Sequence, residues 1–395
     1  MIILSNEYPS NIPGASRASR GGPARFARDL SSSLVANGHT WVGIQRVGVK
    51  TGPPKARFLG TNKKRRFWEA KISYEAYKKI TNAKSVTSPV KILRKEIDII
   101  RFIMQEEKPD LLFLNGFALH AWVLLRAAYE EGIPVVMQHA GIWKKEIQIY
   151  KDYFSPAGRR LMYAMERNIT DYGTQEIFLN NFSRKAYEAL IGKVPKSHCH
   201  VIPLPMPISL CEIVKAPSKS AVKRIGIVAR WDRIKNHPAF LAVARETQKQ
   251  KLSWEFHSVT RIPETNKMLA LKNEYRKRII VHGLMKTPQL AQFYRNMDLM
   301  LLPSKFDVSP HVILEAACQG TGTILSKNVG WVDEYQKTKN RIWIADFDKP
   351  KDVIKKMQTL MGKKQNEAFF TYVNKTHDPI RVHKQYLNLF TKVAG

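Results

Sequence analysis

Only three cysteines, Cys199, Cys211 and Cys318, occur among the 395 residues, an odd number at separations that fit no metal-ligand motif. That argues against a disulfide-stapled secreted domain or a zinc site and leads us to expect free thiols in a reducing cytoplasm. No apolar stretch reaches the ~18 to 20 residues that cross a bilayer. The opening Met-Ile-Ile-Leu-Ser is too short for a secretory leader and lacks its basic start. Glycine-rich phosphate loops are missing too. No Gly-x-Gly-x-x-Gly follows a strand candidate and no Gly-x-x-x-x-Gly-Lys-Ser/Thr is present, which sets aside dinucleotide oxidoreductases and P-loop enzymes. There is no repeat at a fixed period and no low-complexity tract. Acidic residues are the other scarcity: 33 Asp and Glu face 65 Lys and Arg, for a net charge of +32. A field of that sign attracts polyanions and says nothing about fold.

What is present is ample for burial. An apolar fraction of 44% with 10% aromatics describes a folded globular chain, and the length favours two domains over one. Strand and helix candidates alternate throughout, the pattern of parallel sheets covered by helices. In the first half the strands are expected at Met1–Ser5, Thr40–Val47, Asp110–Leu114, Pro134–His139, Glu176–Leu179 and His200–Leu204. Between them Phe26, Leu30 and Leu34 mark one face of a helix over Pro23–Asn37, with proline at its start and Asn37-Gly38 at its end. Val90, Leu93, Ile97 and Ile100 mark a second helix, Val90–Met104. The ladder restarts at Arg224–Ala229, Leu252–Val259, Arg278–His282, Leu299–Pro303, Thr323–Ser326 and Asn340–Ala345. Helices are expected at about 237–249, 264–277, 287–296 and 310–319, and a last one over Pro379–Val393. The expected organisation is therefore a first domain over 1–207, a proline-bearing linker over 208–223, a second domain over 224–377 and a closing helix over 378–395. Doubly wound sheets bind ligands outside the carboxyl ends of their strands, so the loops that follow strands are where chemistry is to be sought.

Two such loops stand out. Arg230-Trp-Asp-Arg-Ile-Lys235 follows the strand Arg224–Ala229, and its cations could neutralise charge on a departing diphosphate. A solvated basic loop is the plain alternative in a chain with 65 such residues. Asp307-Val-Ser-Pro-His-Val-Ile-Leu-Glu315 follows the strand Leu299–Pro303. Ser309 reads as an N-cap, Pro310 as the first helical residue and Gly320 as the stop, so the helix would point its free N–H groups at an anion. Eight residues apart, Asp307 and Glu315 do not form an acid–base dyad by spacing; they can bracket an extended ligand, or be a surface Asp and a helical Glu. Asp346-Phe-Asp348 reads as a loop with capping potential.

The segments Arg230–Asn236, Leu290–Asp298, Leu302-Pro-Ser304, Asp307–Gly320 and Gly330–Glu334 together resemble the retaining GT-B glycosyltransferases of the group 1, family 4 type. Gly21-Gly22 opening a helix, and His139 after a strand, are similar to that family's first domain, and the closing helix to the one that crosses back to it. The resemblance covers nearly the whole chain in the family's order. It implies two doubly wound Rossmann-like domains facing a central cleft. It also implies that Arg230 and Lys235 hold the donor diphosphate, that Glu315 holds the ribose, and that Asp307 with the backbone from Val308 through Ser309 and Pro310 to His311 holds the transferred sugar. Gly21 and Gly22 would allow backbone approach to the donor phosphate, His139 would lie beside the reacting carbon, and Gly283 would line the base pocket. Asp307 departs from the family, which usually has Glu there. The implied reaction transfers a sugar with retention from a UDP- or GDP-sugar to a hydroxyl of a glycan or lipid-linked acceptor, with no metal or other cofactor.

The first domain would choose the acceptor. Arg17 and Arg20 precede Gly21, and residues 45–101 hold 16 Lys or Arg against 4 Asp or Glu, including Lys63, Lys64, Arg65 and Arg66 followed by Phe67 and Trp68. A solvated loop and helix face is one reading. Peripheral docking on an anionic membrane, on its cytoplasmic face, is the other, at ~1 kcal/mol per near-surface cation. Phosphate contacts and base stacking would suit nucleic acid as well. A polymer-binding module without catalysis, or a GT-B glucosyltransferase acting on DNA, is thus the alternative class. A pure binding module has no use for Arg230, Lys235 and Glu315 at one site.

Overall fold

Apolar runs with no alternation become parallel strands covered on both faces, as burial on two sides requires. The computed structural model describes residues 1–6, 22–49, 55–207, 222–340, 343–361 and 367–395. It divides into two units, one of Met1–Leu204 with Ile380–Gly395 and one of Pro205–Pro379.

The first unit carries eight strands: β1 (Ile2–Ser5), β2 (Thr40–Val49), β3 (Lys55–Asn62), β4 (Arg65–Ser73), β5 (Leu111–Asn115), β6 (Val135–His139), β7 (Gln175–Phe178) and β8 (Cys199–Val201). Their spatial order is β3-β4-β2-β1-β5-β6-β7-β8. All neighbours are parallel except β3 and β4. The helix Gly22–Ala36 follows β1 and buries Phe26, Leu30 and Leu34. The expected Val90–Met104 helix is two, Pro89–Ile92 and Arg94–Glu107, with Leu93 between them.

Much of the basic stretch is the β3–β4 hairpin at the sheet edge, where a loop and helix face was expected; Lys63 and Lys64 are exposed, and Lys64, Arg65 and Arg66 also bond groups of the protein. Lys63 and Lys64 form the turn, Lys63 with a φ of 56°. Lys64 Nζ donates to the Gly38 carbonyl at 3.0 Å, and Arg65 to the Ser32 hydroxyl at 2.8 Å. Arg66 pairs with Glu107 at 2.8 Å, whose other oxygen accepts the Trp68 indole N–H at 2.6 Å. Trp68 itself is buried.

The last helix, Pro379–Ala394, packs within the first unit through its aromatic face. Tyr386 lies against Phe26 and Phe113, at ring separations of 5.5 and 6.1 Å. Its hydroxyl bonds the side chain of Gln138, which in turn donates to Asn115 at 2.7 Å, so these buried amide side chains near the ends of β5 and β6 have partners.

The second unit carries β9 (Lys223–Val228), β10 (Trp254–Val259), β11 (Ile280–Val281), β12 (Leu299–Leu302), β13 (Thr323–Ser326) and β14 (Ile344–Ala345). All are parallel, in the order β11-β10-β9-β12-β13-β14. Counted from β9 this is 3-2-1-4-5-6, the doubly wound arrangement, with the order reversing between β9 and β12. Helices His237–Lys249, Leu269–Arg278, Thr287–Asn296, His311–Cys318 and Pro350–Leu360 connect or flank the strands. Cys199 is a free thiol, in line with the expectation for it, and Cys211 lies outside the described residues. No helix among the described residues is long and apolar enough to cross a membrane.

Candidate active site in the second unit

Because β9 and β12 are neighbours at the reversal of strand order, the loops that follow them are forced together. The β9 loop is stiff. His237 opens the next helix, and its Nε2–H donates to the Arg230 carbonyl at 2.9 Å, which leaves Nδ1 as acceptor for the Tyr275 hydroxyl at 2.9 Å. Burial lowers the His237 pKa, in keeping with a neutral ring. Trp231 stacks on that ring at 4.7 Å. Asp232 accepts from the Lys235 backbone N–H at 2.9 Å and lies 3.4 Å from the Arg230 guanidinium. Arg230 still leaves 82% of its side chain exposed, so it can reach a ligand. Asn236 takes the left-handed conformation, φ 55°, and its side chain donates to the Pro303 carbonyl at 3.1 Å. Asn tolerates that region better than most residues.

The β12 loop meets it. Lys305 N–H donates to the Ile234 carbonyl at 2.8 Å. Lys235 and Asp307, 72 residues apart, form an ion pair with only 20% and 12% of their side chains exposed. Asp307 is fixed through its backbone as well, with its N–H on the Asn328 carbonyl at 3.2 Å and its carbonyl accepting from Gly330 at 2.8 Å. The helix after it begins at His311, one residue later than expected, and Pro310 stands at the cap position with no side-chain cap. Ser309 is therefore no N-cap, which corrects that expectation: proline at the cap holds the extended ψ of 123° that Ser309 would have needed one residue earlier. Val308 and Ser309 are buried. Pro310 has no N–H to offer, which leaves donation to its neighbours.

Glu315 lies inside that helix at 5% exposure, and the Tyr294 hydroxyl donates to its Oε2 at 2.5 Å. Gly283 follows β11 with a φ of 69° and open space where a side chain would project. Asp346 lies 3.8 Å from Lys327 and caps the Asp348 N–H at 3.2 Å.

The expected residues of the first unit are distributed otherwise. Gly22 is the first residue of the Gly22–Ala36 helix, while Gly21, Arg17 and Arg20 lie outside the described residues. His139 ends β6, but its ring is fully buried. Its Nε2 lies 2.8 Å from Glu176, which also accepts from the Thr170 hydroxyl at 2.6 Å, and it stacks on Phe178 at 4.7 Å. What His139 presents at the strand end is its backbone.

Two residues that brace the candidate site escaped the sequence reading: His237, bonded to the Arg230 carbonyl, and Tyr294, bonded to Glu315. Position offered a signal for both, His237 directly after Asn236 and Tyr294 in the helix before β12.

Residues 222–363 match the family described as Glycosyl transferases group 1. No match is found among curated proteins. Among solved structures, sucrose-phosphate synthase from Thermosynechococcus elongatus superposes with a TM-score of 0.72 at 15% identity, covering 99% of each chain. A trehalose-6-phosphate protein from E. coli, solved bound with UDP-2-fluoro glucose, gives 0.69 at 10% identity, again over 99% of both chains. An α,α-trehalose-phosphate synthase from Burkholderia xenovorans, in complex with glucose-6-phosphate, gives 0.66 at 12% identity and 99% coverage of each. With its two doubly wound units the chain has the GT-B fold of these structures, and its residues 222–363 are similar to the group 1 glycosyl transferases.

Proposed function

We propose that the chain is a retaining glycosyltransferase of the family 4 type that takes a UDP- or GDP-sugar as donor and a hydroxyl of a glycan or lipid-linked saccharide as acceptor. The observation that carries the reading is the meeting of the β9 and β12 loops, with Arg230, Lys235 and Asp307 at the reversal of strand order. Arg230 and Lys235 would hold the diphosphate and Glu315 the ribose. Asp307, with the backbone of Val308, Ser309 and His311, would hold the transferred sugar.

In the step we envisage, the bond from the anomeric carbon to the diphosphate oxygen breaks and the bond to the acceptor oxygen forms on the same face. The acceptor proton passes to the leaving phosphate oxygen. Fixed cations beside a departing diphosphate stabilise the charge that grows there, a contribution of the kind worth about 10²- to 10³-fold in rate. No cofactor is part of this scheme. The net charge of +32 favours an acceptor that itself carries phosphate or carboxylate. The test is incubation with a panel of sugar nucleotides and saccharide acceptors, with the product's anomeric configuration read by proton NMR. Transfer with retained configuration supports the reading, and inverted product removes its retaining half.

A further inference from the structure

Tyr294 has no expected role in donor binding, yet its placement ties it to the residue assigned to the ribose. It sits in the helix Thr287–Asn296 with no exposed surface. Its hydroxyl donates to Glu315 Oε2 at 2.5 Å, while its backbone carbonyl accepts from the Thr321 hydroxyl at 2.7 Å. The ring lies in an apolar cluster with Phe293, Met297, Met300 and Ala316. Thr321 stands three residues beyond the end of the helix that carries Glu315. The tyrosine is thus tied to that helix at Glu315 and to the segment just beyond its end at Thr321.

A carboxylate can accept about four hydrogen bonds. One strong donor from a rigid, buried phenol sets the plane of the carboxylate and leaves accepting capacity for others. A vicinal diol needs this, because two hydroxyls a fixed distance apart discriminate only against an acceptor that does not rotate. We infer that Tyr294 is a positioning residue: it orients Glu315 so that the carboxylate reads the two ribose hydroxyls of the nucleoside diphosphate. The inference rests on the proposed placement of the ribose at Glu315.

The experiment measures dissociation constants of UDP and GDP, and of the 2′,3′-dideoxy counterpart of whichever binds tighter, for wild type, Tyr294→Phe and Glu315→Gln. Phe keeps the ring and its packing and removes only the hydroxyl. Tyr294→Phe should weaken the ribonucleotide about 5- to 10-fold and the dideoxynucleotide less than 2-fold, with kcat at saturating donor within 2-fold of wild type. Equal weakening of both nucleotides, or no weakening of either, overturns the positioning role, since a purely structural tyrosine would not distinguish the two riboses. Glu315→Gln serves as the separate control. If it weakens the two nucleotides equally or not at all, so that wild-type discrimination survives it, or if neither nucleotide binds wild type, the placement of the ribose itself is wrong.

Discussion

Replacing Lys235 with Gln removes one half of an ion pair that is neither exposed nor fully buried, with 20% of the Lys side chain and 12% of the Asp307 side chain accessible. Unit charges in contact at an effective dielectric near 20 attract by about 4 kcal/mol before desolvation is subtracted. Exposed pairs contribute about 0–1 kcal/mol and breaking buried ones costs about 3–5 kcal/mol. The intermediate burial here places the loss at roughly 2 kcal/mol, most of it from leaving the Asp307 carboxylate without its cation. For a unit of this size that corresponds to a fall of about 4–8 °C in melting temperature, readable by differential scanning calorimetry. Asp307→Asn should cost a similar amount because it leaves Lys235 unpaired near Arg230. The double variant should melt higher than the sum of the two shifts predicts, by about 1 kcal/mol or more of coupling. Both single variants should also lose about 10²- to 10³-fold in transfer rate. Strictly additive melting shifts would refute the claim that these two side chains act as a unit at the junction of the β9 and β12 loops.

Asp307→Glu lengthens the arm by one methylene and should change the ranking of sugar nucleotides in a hydrolysis assay; an unchanged ranking shows that the shorter arm carries no specificity. Glu166, fully buried while accepting the backbone N–H groups of Trp143 and Lys144 at 2.7 and 2.6 Å, has its pKa pushed up by burial from 4.5 to about 7. A raised carboxyl pKa contributes stability below pH 4.5 that is lost as pH rises through 7, at most roughly 3 kcal/mol. The melting temperature of Glu166→Gln relative to wild type should therefore climb by several degrees from pH 5 to pH 8, and a difference independent of pH contradicts the burial argument. His139→Ala removes a fully buried ring that meets Glu176 and Phe178, so it should destabilise the first unit by about 3 kcal/mol. Lost activity with an unchanged melting temperature would instead give the ring a direct role at the substrate.

The parallel strands were legible because a strand covered on both faces needs an uninterrupted apolar run, and the first four residues of Leu111–Asn115 and all of Leu299–Leu302 supply one. The β3–β4 hairpin was not, because its charged residues resemble a solvated face until Arg66 finds Glu107, from a helix 41 residues on. Helix ends were legible to within about a residue for Gly22–Ala36, Thr287–Asn296 and Pro379–Ala394, but the helix expected at 264–277 begins only at Leu269 and the one expected to end at Met104 runs to Glu107, and Ser309 shows that a good capping residue is unused when the following proline stays extended. The site's members could be named from their loops, but not their partners. Lys235 meets Asp307 only because β9 and β12 adjoin, a consequence of strand order that no local spacing encodes. The direction of His139 was hidden for a related reason: a residue at a strand end can turn toward the loops or toward the covering layer, and Glu176 and Phe178 on the neighbouring strand draw it inward.

The most direct measurement of the central claim is nucleoside diphosphate release from a panel of sugar nucleotides by wild type and by Lys235→Gln. Wild type should release the diphosphate slowly from at least one UDP- or GDP-sugar, by transfer to water, and the variant should lose about 10²-fold or more of that rate. No release and no binding of any sugar nucleotide by wild type, or an unchanged rate in the variant, would contradict the account.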